Sequence, residues 1–153
     1  MTEQVTVTAQ ELYRAMLRDS IAPRLRALGW KGSGQRFALP DPGAWVQLGF
    51  QSSRFNTGDA LEFTINISVI DRTAWEVYRA ERPELPTRPN PSTHYSRRFE
   101  PVRIGHLLAA RRDTWWHIST DQPRDGIGWT ANGVATSVSD YAMPEIRRRL
   151  TAT

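Results

Sequence analysis

From Leu61 to Ile70 the chain alternates apolar and polar side chains without a break: Leu61, Phe63, Ile65, Ile67 and Val69 stand against Glu62, Thr64, Asn66 and Ser68. Successive side chains of a strand point to opposite faces, so this segment predicts a long strand with one face in the core and the other in water. Residues 45–52 repeat the pattern, with Val46, Leu48 and Phe50 opposed to Gln47, Gly49 and Gln51. A shorter strand is predicted over residues 35–39, after a glycine-rich turn at Gly32-Ser33-Gly34. Pro40-Asp41-Pro42-Gly43 and Asn56-Thr57-Gly58-Asp59 have turn composition, and connections this short imply an antiparallel meander.

The flanks read as helices. Thr8-Ala9-Gln10-Glu11 has the form of a capping box, in which the Thr hydroxyl and the Glu carboxylate satisfy orphan amides at a helix start. Tyr13, Met16, Leu17, Ile21, Leu25 and Leu28 then recur at helical spacing as far as Gly29, the expected terminating glycine. Pro23 interrupts the run, which predicts either a kink or a second helix with Pro23 in its first turn. At the other end the pattern turns helical from Thr130, with Val134, Val138 and Tyr141 on one face and Ile146 and Leu150 beyond Pro144.

Between strands and C-terminal helices the reading is coarser. Asp71 is placed to cap a short helix bearing Trp75 and Tyr78, and Pro83, Pro86, Pro89 and Pro91 force a helix-free crossing, expected as a stiff loop laid over the domain. Residues 103–108 and 113–120 are expected as a hairpin, with Trp115 and Trp116 sending one indole to each side of its second strand. The fold class is then α+β: residues 1–153 as a single domain, an antiparallel sheet of about five strands, and N- and C-terminal helices packed on one face.

Composition narrows the chemistry. The absence of cysteine excludes disulfides, thiolate metal sites and a Cys nucleophile. Met1–Gln10 has neither a basic start nor an apolar stretch, so a cytoplasmic location without membrane association is expected. A pI of about 10.1 rests on a net charge of only +4, because Lys31 is the sole lysine and arginine does not titrate near neutrality. Most arginines have an acid nearby in sequence, and the pairs Arg97-Arg98 and Arg111-Arg112 and the triplet Arg147-Arg148-Arg149 read as solvated edges. A nucleic-acid binder needs clustered cations, so that role is carried only as a weak alternative.

No nucleophile elbow, phosphate-binding loop or dinucleotide fingerprint is present, and Gly29, Gly32 and Gly34 around Lys31 have the wrong spacing for a phosphate cradle. His94, His106 and His117 lack metal-site spacing, although His106 and His117 would face each other across the expected hairpin. No metal and no cofactor are expected. The informative constellation is the polar face of the two long strands, with Gln47, Gln51, Glu62 and Asn66, Ser53 and Arg54 at the end of the second strand, and Trp116 and His117 beside them. Such a face is either plain solvated sheet or an adaptable hydrogen-bonding surface. The expectation is a non-enzymatic binding or interaction module for a small polar ligand or a protein, monomeric or weakly dimeric; a small hydrolase or transferase using Glu62 with His117 is the alternative.

The residues also resemble a family. The helix end "APRLRALGW", the strand "QRFAL", the stretch "VQLGFQSSRFNTGDALEFTINISV" and the later "WWHI" together are similar to the bacterial domain-of-unknown-function family 4304. Pro23, Leu28-Gly29-Trp30, Phe37, Gln51, Ser53, Phe63 and Asn66 would fill that pattern, with Trp30 where phenylalanine is more familiar. The resemblance implies a compact mixed domain and no particular reaction.

Overall fold

The computed structural model describes residues 7–54 and 56–152, with the backbone alone at Arg124. The Thr8 half of the capping box forms: Thr8 Oγ1 accepts from the Glu11 amide at 3.2 Å and opens α1, Ala9–Met16, while the Glu11 carboxylate accepts from the Thr8 hydroxyl at 3.3 Å. A π-helical turn, Leu17–Ile21, then carries the chain into α2, Ala22–Ala27, with Pro23 in its first turn. A proline at this place lacks the N–H that would reach the Asp19 carbonyl and clashes with it. Widening the preceding turn, so that the Ala22 amide reaches back to the Leu17 carbonyl, relieves the clash without ending the helix. Gly29, at φ +102°, closes α2: its amide bonds the Arg26 carbonyl and that of Trp30 the Leu25 carbonyl, the paired bonds of a Schellman ending.

Gly34 turns the chain as expected, while Gly32 and Ser33 belong to a strand, β1 (Lys31–Ser33), in a hairpin with β2 (Arg36–Leu39). β3 (Ala44–Ser52) and β4 (Ala60–Asp71) follow as the two long antiparallel partners, in register Gln47 opposite Ser68, Gly49 opposite Asn66 and Gln51 opposite Thr64. Asp71 caps α3, Arg72–Ala80, accepting from the Ala74 amide at 2.8 Å. β5 (Val102–Arg103) and β6 (Trp116–Ser119) both lie on the outer edge of β4, β5 against Asn66 and Ile67 and β6 against residues 60–63. The sheet is therefore six-stranded and antiparallel, in the order β1-β2-β3-β4 with β5 and β6 sharing the last position.

Three expectations are corrected. The hairpin over 103–108 and 113–120 does not form, because each of its arms pairs with β4 rather than with the other, and His106 does not face His117 across it. The C-terminal helix α4 starts at Arg124 and runs to Ser137, six residues before Thr130, since Gly126 and Gly128 weaken the apolar pattern of its first turns. A second π turn, Val138–Ala142, again stands immediately before a proline, Pro144, and leads into α5, Met143–Thr151.

The third correction concerns the polar face. The terminal helices cover one side of the sheet, where Tyr13, Leu17, Ile21, Phe37, Leu48, Phe50, Phe63, Ile65, Val138 and Ile146 form the main core. The other side is not open to water. α3 and the proline-bearing strap that follows it cover much of that side with a smaller aromatic cluster of Trp75, Phe99, Tyr78 and Tyr95 over Ile70 and Trp45. The Trp75 indole donates to the Pro86 and Thr87 carbonyls at 3.3 and 3.0 Å, and Tyr95 Oη accepts from the Asn90 amide at 2.9 Å, so the strap is tied to the cluster by polar atoms. Gln47, Thr64, Asn66 and Ser68 are buried beneath this covering. No described helix is long and apolar enough to cross a membrane.

Candidate functional site

Asn66 is the hub of the covered face. It sits in the middle of β4, opposite Gly49 on one side and Arg103 on the other. The absence of a side chain at Gly49 lets the strap press in: a Cβ there would stand 3.0 Å from Pro91 Cγ and clash with Ser92 Oγ. Asn66 Nδ2 consequently donates both to Gln51 Oε1 at 2.8 Å and to Ser92 Oγ at 3.1 Å. Its Oδ1 accepts from Arg103 Nε at 3.3 Å, and Arg103 Nη1 reaches Asp113 Oδ2 at 3.0 Å. Trp115 Nε1 donates to the same Asp113 oxygen at 2.9 Å, with the Arg103 guanidinium 5.1 Å from the indole centre. The chain of contacts fixes an arginine fork at the rim of β4, because a buried amide with all its partners in place has one orientation.

Beside this hub opens a cleft of about 730 Å³. Gln51 and Asn66 contribute to its lining, as do Arg97, Arg98, Arg103, His94 and His106, and Arg149 reaches it from α5. Glu100 lies 3.6 Å from His94, Asp113 pairs with Arg103, and Glu145 holds Arg149 at 3.1 Å. Among the described residues no carboxylate pairs with Arg97 or Arg98, so the cleft keeps a surplus of positive charge.

The residues singled out from sequence divide into groups. Gln51 and Asn66 come together as hydrogen-bonded neighbours in the cleft. Gln47 lies on the same face but under the strap, where it lines a separate, smaller recess. Glu62 and His117 are cross-strand partners, His117 Nδ1 3.3 Å from Glu62 Oε1, and with Ser53 they line a third hollow of about 310 Å³. That pair is exposed, 48% for the Glu62 side chain and 71% for His117. Arg54 is exposed in the turn after β3 and lines none of these cavities.

Trp116 is a correction. It pairs with Phe63 and stacks on it at 5.7 Å, which puts it on the helix-covered side, and Trp115 takes the place beside the polar network. Strand alternation already forbids Trp116 and His117 from sharing a face. The cleft's arginines and histidines carried no sequence signal beyond their charge. Arg97 and Arg98 are exposed, as a solvated edge requires, and the register of Arg103 against Asn66 is set by a two-residue strand.

The protein is thus an α+β domain with one sheet face closed by π-bulged helices and the other by a strap beside a cationic cleft. The chain belongs to the family described as a domain of unknown function (DUF4304), whose model matches residues 21–148. No curated protein and no solved structure matches it.

Proposed function

We propose that the protein is a non-enzymatic binding module that takes an anionic, hydrogen-bonding ligand into the cleft beside Asn66. The observation that carries this reading is the unneutralised pair Arg97 and Arg98 lining the same cleft as a fixed Gln51–Asn66–Arg103 network. Arginine forks recognise carboxylate and phosphate oxygens bidentately, and the ordered amides supply directional contacts for the rest of the ligand. The cleft volume lies in the range of small-molecule sites. Calorimetric titration with tricarboxylates and nucleotides is expected to find a binder. The double variant Arg97→Gln/Arg98→Gln, at exposed positions, should weaken it at least about tenfold, or 1.4 kcal/mol. A panel with no binder, or a double variant that binds as tightly as the parent, refutes the reading.

The catalytic alternative has one observation in its favour, the Glu62–His117 contact, since a carboxylate beside an imidazole fixes the ring's orientation and tautomer. It requires ester or phosphoester turnover that disappears in His117→Ala.

A further inference from the structure

The strap divides the covered face in two, and its second half holds a cavity independent of the cleft beside Asn66. Directly opposed residues of antiparallel strands share a face, so the registers of β1 to β4 set Lys31, Ala38, Gln47 and Ser68 in one row and Arg36, Gly49 and Asn66 in the next. The short methyl of Ala38 leaves this part of the sheet low. Over it, Arg88 and Pro89 of the strap complete a recess of about 210 Å³, with Lys31, Arg36, Ala38 and Gln47 in its lining. Arg88 is held with its guanidinium 5.2 Å from the Trp45 ring centre.

Two independent features of the recess point to a ligand. Lys31, Arg36 and Arg88 bring three cations to it, and no carboxylate lines it. Gln47, only 4% exposed, has a buried Oε1 with no hydrogen-bond partner. An unsatisfied buried carbonyl has lost its water without gaining a partner, so a donor that reaches it is favoured. Gln47 lines the recess, and the terminal torsion of a glutamine side chain is soft, so its amide is free to turn towards a ligand there.

We propose that this recess binds a phosphate-class oxyanion that retains a hydroxyl, either free phosphate or the end of a phosphate monoester. Its charged oxygens accept from Lys31, Arg36 and Arg88, and its hydroxyl donates to Gln47 Oε1. This differs from a glycine-loop cradle, because side chains rather than backbone amides supply the donors.

Sulfate has the same shape and no hydroxyl at working pH, so it isolates the part played by Gln47. Calorimetry at constant ionic strength and about pH 5.5, where inorganic phosphate keeps its hydroxyls and a phosphate monoester, with its second ionisation near pH 6, largely keeps its own, is the test. Inorganic phosphate is expected to bind, with sulfate at least tenfold weaker. Measured in the Arg97→Gln/Arg98→Gln background, which removes the cleft's arginines, phosphate should still bind, and Arg36→Gln and Lys31→Gln, both at exposed positions, should each weaken it at least tenfold. Gln47→Leu should remove the preference for phosphate over sulfate; if that variant does not fold, Arg36→Gln carries the test. Methyl phosphate binding as tightly as phosphate assigns the recess to an ester's end, and its exclusion assigns it to the free ion. Absence of phosphate binding, equal affinities for phosphate and sulfate, or a loss confined to the Arg97/Arg98 variant overturns the proposal.

Discussion

The two faces of the sheet are built from the same alternating strands and are closed by opposite means. On one, Phe63 has no exposure and lies 5.0 Å from the Tyr13 ring, 6.3 Å from Phe50 and 5.7 Å from Trp116, in a continuous apolar layer under α1, α2, α4 and α5. On the other, Asn66 occupies the matching central place and is buried by hydrogen bonds to Gln51, Ser92 and Arg103. The apolar face gains from area removed from water, a non-directional term that tolerates adjustment. The polar face gains little net energy per bond but has much to lose if a partner is displaced, so it specifies geometry more than it adds stability. That difference explains why the cationic cleft lies on the second face, where side chains are already held in fixed directions.

The comparison is broken most severely by Phe63→Ala. Removing a fully buried ring from the junction of three aromatic partners should cost about 3–5 kcal/mol, read as a shift in the urea unfolding midpoint. A loss below about 1 kcal/mol would mean that the helix layer is not the dominant source of stability.

Gly49→Ala probes the second face. The added methyl meets Ser92 Oγ and the Pro91 ring, so the strap must lift or the strand must shift, at about 1–3 kcal/mol, the range for overpacked sites. The fold should survive, because the apolar face is untouched. Tyr95 and Trp75 fluorescence should report a loosened strap, and proteolysis between residues 82 and 96 should quicken. Unchanged proteolysis and stability together would show that the strap does not depend on that gap.

The first face was legible in the sequence because its causes are local. Thr8 and Glu11 announce a helix start, Gly29 its end, and the period of two in 61–70 assigns each β4 side chain to a side. The same alternation says nothing of what lies above the other side. Glu62, Thr64, Asn66 and Ser68 read as a wet face, yet three of the four are buried, because the strap brings Ser92 to Asn66 and the loop before β6 brings the Thr114 carbonyl to Thr64. The register of β5 depends on two residues, Val102 and Arg103, too few to show any period. Alternation separates Trp116 from His117, but only the pairing of Trp116 with Phe63 says which of the two faces the core.

The smallest effect concerns the edge where the two faces meet. Glu145 in α5 accepts from Arg148 at 2.6 and 2.9 Å and from Arg149 at 3.1 Å, and Arg149 extends into the cleft lining. The Arg148 hydrogen bonds, assisted by Arg149, bring the Glu145 carboxyl down to about 2 from its usual 4.5. A carboxyl lowered on folding contributes stability that is whole above the usual carboxylate range and disappears as pH falls through the folded value. Glu145→Gln should therefore cost less than about 1 kcal/mol at pH 7, because ion pairs near the surface are well screened. The gap between variant and parent should begin to narrow below about pH 4.5 and close near pH 2, as seen in denaturant midpoints measured down the pH series. A gap that persists unchanged to pH 2 would assign the effect to packing of α5 against the sheet, and the edge would then belong to the apolar face alone.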